Sequence, residues 1–268
     1  MTRWSDTFAR LRAEEACGLF PYFTAGFPDK PIGRNLLEAA LDAGVDGFEI
    51  GVPFSDPLAD GATLQRANAR ALAAGASLDT AFEMARFIRE RSPTVPIVLM
   101  SYCNPIFRRG ERAFAEALAA SGADGLIVPD LPLEESETLY ATLRDNAMDL
   151  VPLLAPTSTP ARVVGNARLA RAFIYCVSLV GVTGARSDVS SDLGAFLARV
   201  RTASAAPLVV GFGISRPEHV RNVAALGADG VIVASALADL VERSADPVAD
   251  VHAYLREMKA ATLPSPVA

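Results

Sequence analysis

Lysine and histidine are nearly missing from this 268-residue chain. Lys30, Lys259, His219 and His252 are the only ones, and the other 23 of its 25 basic residues are arginine. Arginine is too strongly basic to act as an amine nucleophile or general base at neutral pH. Schiff-base and pyridoxal chemistry need a lysine at the site, and metal-assisted aldol chemistry needs clustered histidines, so both classes are disfavoured. Three cysteines, Cys17, Cys103 and Cys176, form no C-x-x-C pair and no even set. This set suits unpaired thiols in a reducing compartment better than a disulfide framework, and each is read as a small hydrophobe. No apolar run approaches the ~18 residues of a spanning helix, and Asp6, Glu14 and Glu15 interrupt the region where a signal peptide would be apolar. A cytoplasmic, non-membrane protein is expected. With 31 acidic residues and a net charge of −6, a nucleic-acid partner is not.

What is present is a hydrophobic chain with a repeated pattern. Hydrophobic residues make up 51% and charged residues 21%, which excludes disorder as the main state. Three segments share one design: Ala-Gly-Val-Asp-Gly-Phe-Glu-Ile at 43–50, Ser-Gly-Ala-Asp-Gly-Leu-Ile-Val at 121–128 and Leu-Gly-Ala-Asp-Gly-Val-Ile-Val at 226–233. In each, glycine after a helical run supplies a left-handed cap, Asp-Gly makes a turn, and the apolar residues after it form a buried strand. Apolar strands are predicted at 20–24, 48–50, 97–100, 126–128, 150–154, 173–177, 208–211 and 231–234, with helical periods between them. A leading helix carries Trp4, Phe8 and Leu11 on one face. Eight strands alternating with helices in about 250 residues predict an α/β fold of the (β/α)8 TIM-barrel type with an extra N-terminal helix. No linker or low-complexity tract divides the chain, so residues 1–268 read as a single barrel domain with a frayed tail at 264–268.

In such a barrel the chemistry belongs at the C-terminal ends of the strands. The polar residues there include Thr24, Glu49, Tyr102, Asn104, Asp130 and Tyr175. Glu49 is the strongest candidate, because alternation turns it away from Phe48 and Ile50 and into the barrel. Burial there raises a carboxyl pKa towards the range useful for proton transfer. The bland alternative is a carboxylate tied to arginine. The loop 53–61 that follows can hang a second acid, Asp60 or Asp56, over the mouth, although either could be a turn or cap residue. Gly211-Phe-Gly-Ile-Ser215 and Ala234-Ser-Ala236 offer N–H groups and a helix start where this fold commonly holds phosphate. The loop 179–187, with two glycines around Thr183, reads as a lid. His219 and His252 fall in helical periods away from strand ends and read as packing or surface residues. Cofactor-free acid/base chemistry on a phosphorylated substrate remains.

With these residues in view, the sequence resembles the alpha chain of tryptophan synthase over nearly its whole length. The resemblance rests on Phe48-Glu-Ile-Gly-Val-Pro-Phe-Ser-Asp-Pro-Leu-Ala-Asp-Gly61, Val128-Pro-Asp-Leu-Pro132, Gly181-Val-Thr-Gly184 and Gly211-Phe-Gly-Ile-Ser215. It implies retro-aldol cleavage of indole-3-glycerol phosphate to indole and glyceraldehyde 3-phosphate, in the last steps of tryptophan biosynthesis. By position it makes Glu49 the general acid/base, Asp60 its partner on the indole nitrogen, and Thr183 part of a closing loop. Phosphate would rest on Gly184, Gly213, Ala234 and Ser235. The ring would lie among Tyr22, Met100, Ile127, Tyr175, Phe212 and Ile232. Two positions depart from many members: Ala234 replaces glycine, which matters if the backbone needs positive φ, and Tyr22 replaces phenylalanine and brings a hydroxyl. The resemblance further implies no cofactor or metal in this chain and a pyridoxal-phosphate-dependent beta chain as partner, in a heterotetramer of two alpha and two beta chains. The segments 53–57 and 102–105 would form an exposed docking rim. The alternatives are a stand-alone lyase for the same substrate, a non-catalytic phosphate-ligand-binding regulatory barrel, and another phosphate-binding barrel such as an isomerase.

Overall fold

The computed structural model describes residues 2–177, 188–211 and 213–263. The tail at 264–268 and the lid segment at 179–187 lie outside the described residues. Among the described residues, nine strands form one parallel sheet: β1 (Gly18–Thr24), β2 (Phe48–Gly51), β3 (Ile97–Met100), β4 (Gly125–Ile127), β5 (Asp149–Val151), β6 (Leu153–Leu154), β7 (Ile174–Val177), β8 (Leu208–Gly211) and β9 (Gly230–Val233). The helices are α1 (Arg3–Ala13), α2 (Lys30–Asp42), α3 (Ala62–Ala73), α4 (Leu78–Arg91), α5 (Cys103–Arg109), α6 (Glu111–Ala120), α7 (Glu137–Asp145), α8 (Pro160–Leu169), α9 (Asp188–Ala203), α10 (Pro217–Ala225), α11 (Ser235–Arg243) and α12 (Pro247–Ala260).

The strand order is β5-β4-β3-β2-β1-β9-β8-β7-β6, so the sheet curls until its two edges are separated only by Pro152. This corrects one expectation: the strand predicted at 150–154 is two short strands. Proline has no N–H for a ladder, so pairing with β4 stops at Val151 and pairing with β7 starts at Leu153. The Pro152 carbonyl still accepts from the Tyr175 N–H at 2.9 Å and bridges the break.

Two apolar cores follow from strand alternation. Residues facing outwards, such as Leu19, Phe48, Ile50 and Leu99, pack under the surrounding helices. Residues facing inwards, such as Phe20, Tyr22, Val98, Ile127, Tyr175 and Ile232, fill the barrel. The register sets Tyr22 beside Glu49, Glu49 beside Val98 and Met100 beside Ile127. Helix α1 plugs the end opposite the strand C-termini: the Trp4 ring lies 4.8 Å from Phe173 and 5.3 Å from Phe20, with Phe8 beside them.

The repeated segments behave as predicted at glycine and do more than predicted at aspartate. Gly44, Gly122 and Gly227 have φ of 78°, 80° and 93°, the left-handed conformation that glycine adopts freely. Each repeat aspartate accepts from an N–H at the start of a neighbouring strand: Asp46 from Leu19, Asp124 from Ile97 and Asp229 from Leu208. Cations hold the same carboxylates, with Arg10 and Lys259 on Asp46, Arg3 and Arg89 on Asp124, and Arg201 on Asp229. Cys17 and Cys176 are buried, but Cys103 is partly exposed, because it opens α5 at the barrel rim.

Candidate active site

A cavity of about 500 Å³ opens at the C-terminal ends of the strands. Tyr22, Glu49, Asp60, Met100, Ile127, Tyr175, Gly213, Ile232, Ala234 and Ser235 all line it. Thr183, Gly184 and Phe212 lie outside the described residues. Leu64, Leu153 and Ser158 also line the wall. Leu153 was hidden from strand alternation by Pro152, which resets the pattern.

Glu49 is 1% exposed, and neither of its carboxyl oxygens has a hydrogen-bond partner. The arginine-paired alternative is therefore not what the structure shows. Burial, reinforced by the charge of Asp60, pushes the Glu49 carboxyl up to about 8. At neutral pH it is a protonated acid with a free donor facing an open cavity.

Asp60 is poised differently because the loop after β2 is tied at several points. Asn68 of α3 donates to Asp60 Oδ2 at 3.0 Å and accepts from the Phe54 N–H at 3.0 Å. The Tyr102 hydroxyl accepts from the Ala59 N–H at 3.1 Å, and Gln65 donates to the Asp60 carbonyl at 2.9 Å. Burial raises Asp60 to about 6, while the neighbouring Tyr102 hydroxyl and Asn68 amide pull it back down. Between these two values the pair holds one proton, on Glu49. Asn68 has no motif to announce it; its one signal is an amide side chain on the buried face of α3, beside Ala67 and Ala71. Asp56 is exposed and away from the cavity lining. Asp130, on the strand-end roster, accepts from the Cys103 N–H at 2.9 Å and so holds the start of α5.

The far wall carries a helix start: α11 begins at Ser235, and Gly213 lines the same cavity. Ala234 has φ −121° and ψ −80°, outside the positive-φ region, so alanine carries no left-handed strain there. The Tyr22 and Tyr175 hydroxyls stand over Gly51 and Gly211, where any Cβ would overlap them. Those glycines are thus space for aromatic rings. His219 is more than a packing residue: it is buried, and its Nδ1 lies 3.3 Å from the Ser215 nitrogen in the loop after β8.

At the rim, Leu58 is 85% and Phe107 55% exposed. Tyr102, expected on an exposed rim, is instead buried, stacking near Phe54 at 5.3 Å while it holds the Asp60 loop. Among the described residues no helix is long and apolar enough to cross a membrane, and no three His, Cys, Asp or Glu side chains are grouped as metal ligands.

A parallel barrel whose strand C-termini surround a largely apolar cavity with a buried neutral acid and an ionisable partner has the architecture of a TIM-barrel enzyme. The family model for the tryptophan synthase alpha chain matches residues 8–263. The alpha chain of Roseiflexus castenholzii is 51% identical over 244 residues, 91% of this chain and 93% of that one. That of Chloroflexus aggregans is 48% identical over 98% of both chains. Among solved structures, tryptophan synthase subunit alpha from Legionella pneumophila superposes with a TM-score of 0.90 at 34% identity, covering 98% of each chain. Mycobacterium tuberculosis tryptophan synthase gives 0.89 at 34% identity over 98% of this chain and 99% of that one. The chain belongs to the tryptophan synthase alpha chain family, lyases of tryptophan biosynthesis.

Proposed function

We propose that this single barrel domain cleaves indole-3-glycerol phosphate to indole and glyceraldehyde 3-phosphate. The observation that carries the reading is Glu49: a buried carboxyl with no partner, held neutral at pH 7, inside a largely apolar cavity. Tyr22, Met100, Ile127, Tyr175 and Ile232 suit a flat bicyclic ring, which burial and edge or face contacts would hold. Phe212 is assigned to the same pocket by the family resemblance. Gly213, Ala234 and Ser235, with Gly184, bind the phosphate through N–H groups and the positive end of α11. The family resemblance assigns Thr183 to a loop that closes over Asp60.

The reaction needs the ring to accept a proton before its bond to glycerol breaks. Protonated Glu49 gives its proton to ring carbon 3, while Asp60 stabilises the positive charge that develops at the ring N–H. The Glu49 carboxylate then takes the proton of the hydroxyl on the adjacent glycerol carbon. The carbon–carbon bond breaks, its electron pair returns to the ring as the carbon 2–carbon 3 double bond, and the aldehyde forms. Glu49 ends protonated, as it began. No step needs a metal or organic cofactor in this chain.

The exposed Leu58 and Phe107 beside the cavity mouth support docking of a beta chain there, with pyridoxal phosphate carried by that partner and two chains of each kind in the assembly. The acidic chain is assigned to the cytoplasm. Turnover of indole-3-glycerol phosphate by purified wild type and Glu49→Gln tests the core of the reading. Gln keeps the shape but cannot transfer a proton, so indole release should fall ~10²–10⁴-fold or more. Retention of more than a tenth of the activity would refute the assignment.

A further inference from the structure

Ser215 ends the loop that follows β8, two residues beyond Gly213 of the cavity wall, and its backbone is held at both its N–H and its carbonyl. A backbone N–H can only donate. His219 Nδ1, 3.3 Å from the Ser215 nitrogen, must therefore accept, which makes the ring neutral with its proton on Nε2. A carbonyl can only accept, so the Tyr254 hydroxyl of α12 donates to the Ser215 oxygen at 3.2 Å. The Ser215 hydroxyl also lies 3.3 Å from the same imidazole nitrogen.

An ordinary helix cap does not account for this arrangement. Arg216 is the N-cap of α10 and His219 its third helical residue. A side chain at that position commonly reaches back to the N-cap N–H. His219 reaches one residue further, out of the helix and into the loop, where Tyr254 of a second helix holds the carbonyl of the same residue. A cation at that position would oppose the positive end of the α10 dipole, which agrees with a neutral acceptor.

We propose that His219, together with Tyr254, is a positioning residue that sets the orientation of the 213–215 backbone so that its N–H groups meet the phosphate end of the substrate. It touches no reacting atom. The proposal rests on the phosphate assignment made above, and the test separates the two.

The full chain is measured as wild type, His219→Phe, His219→Gln and Tyr254→Phe. Steady-state kinetics are combined with calorimetric binding of two probes, glycerol 3-phosphate and indole. Phe fills the buried site without an acceptor, so His219→Phe should raise KM and weaken glycerol 3-phosphate roughly tenfold, with kcat and indole affinity within about threefold of wild type. Gln restores an acceptor for the Ser215 N–H and should recover most of the loss. Tyr254→Phe should shift the same two quantities in the same direction. Wild-type binding of glycerol 3-phosphate with unchanged binding by His219→Phe overturns the clamp alone, as does equal impairment of the Phe and Gln variants or a loss shared by indole. Failure of the wild type to bind glycerol 3-phosphate overturns the phosphate assignment and the clamp with it.

Discussion

Glu49 and Asp60 are both carboxyls in one cavity, and what touches each sets its role. Glu49 touches no donor, so desolvation dominates and its neutral form is favoured up to about 8. Asp60 keeps Asn68 and Tyr102 beside it, so its ionised form survives above about 6. A free enzyme that needs Glu49 protonated and Asp60 ionised should give a bell-shaped profile of kcat/KM, with limbs near those two values. Asp60→Asn removes the charge that adds to the Glu49 shift, so any residual activity should lose its alkaline limb at a lower pH. A flat profile from pH 5 to 9 would contradict both assignments. Stability has the opposite sign to that of a salt-bridged carboxylate. Between its ordinary value of 4.5 and about 8, Glu49 binds more proton in the folded state than in the unfolded. The folded state therefore loses stability as pH rises through that window, and the penalty is full above about 8. Glu49→Gln should remove that slope, and urea titrations at pH 6 and pH 9 would show it.

Several helix ends in this barrel follow one rule, with two exceptions. Gly44, Gly75, Gly122 and Gly227 all sit just beyond helices in the left-handed region. After α1 the same place is held by Glu15, with φ 51°, and after α7 by Ala147, with φ 58°. A Cβ makes that conformation costly, and glycine would relieve it at the expense of some extra freedom in the unfolded chain. Ala147→Gly should therefore raise stability by about 0.5–1 kcal/mol while leaving turnover unchanged, because α7 contributes no residue to the cavity lining. A lowered denaturation midpoint would count against it. The short strands β5 and β6 show the converse case, in which a side chain overrides the apolar run: Leu150 to Leu154 reads as one strand until Pro152 removes a donor.

Across the barrel, stability and chemistry are separated along one axis. The aspartate–cation contacts and the α1 plug sit at the strand N-termini, while Glu49, Asp60 and Ser235 sit at the other end. Trp4 is 1% exposed and packs on Phe8, Phe20 and Phe173. Truncating it to alanine should cost ~3–5 kcal/mol through the cavity left behind. At a temperature where the variant remains folded, KM should stay close to wild type. Unfolding followed by circular dichroism, since Trp4 is the only tryptophan, together with KM at low temperature, checks both halves. A variant with wild-type stability would show that α1 does not close the barrel.

Local pattern sufficed for the repeated helix–glycine–strand units, for the amphipathic α1 and for the inward turn of Glu49, because each depends on spacing along a few consecutive residues. Strand number was legible for the same reason, apart from the break at Pro152. The near-neutral acid at Glu49 could be anticipated from burial, yet its freedom from any arginine depends on which loops cross the mouth. Likewise Asp60 gains Asn68 and Tyr102, and Ser215 gains His219 and Tyr254, from residues 4 to 42 positions away along the chain. Such pairings are set by strand stagger and by the paths of loops and helices around the closed sheet. Hydrophobic periodicity encodes which face of a segment is buried, whereas the partner a polar group meets there is fixed only once the barrel has closed.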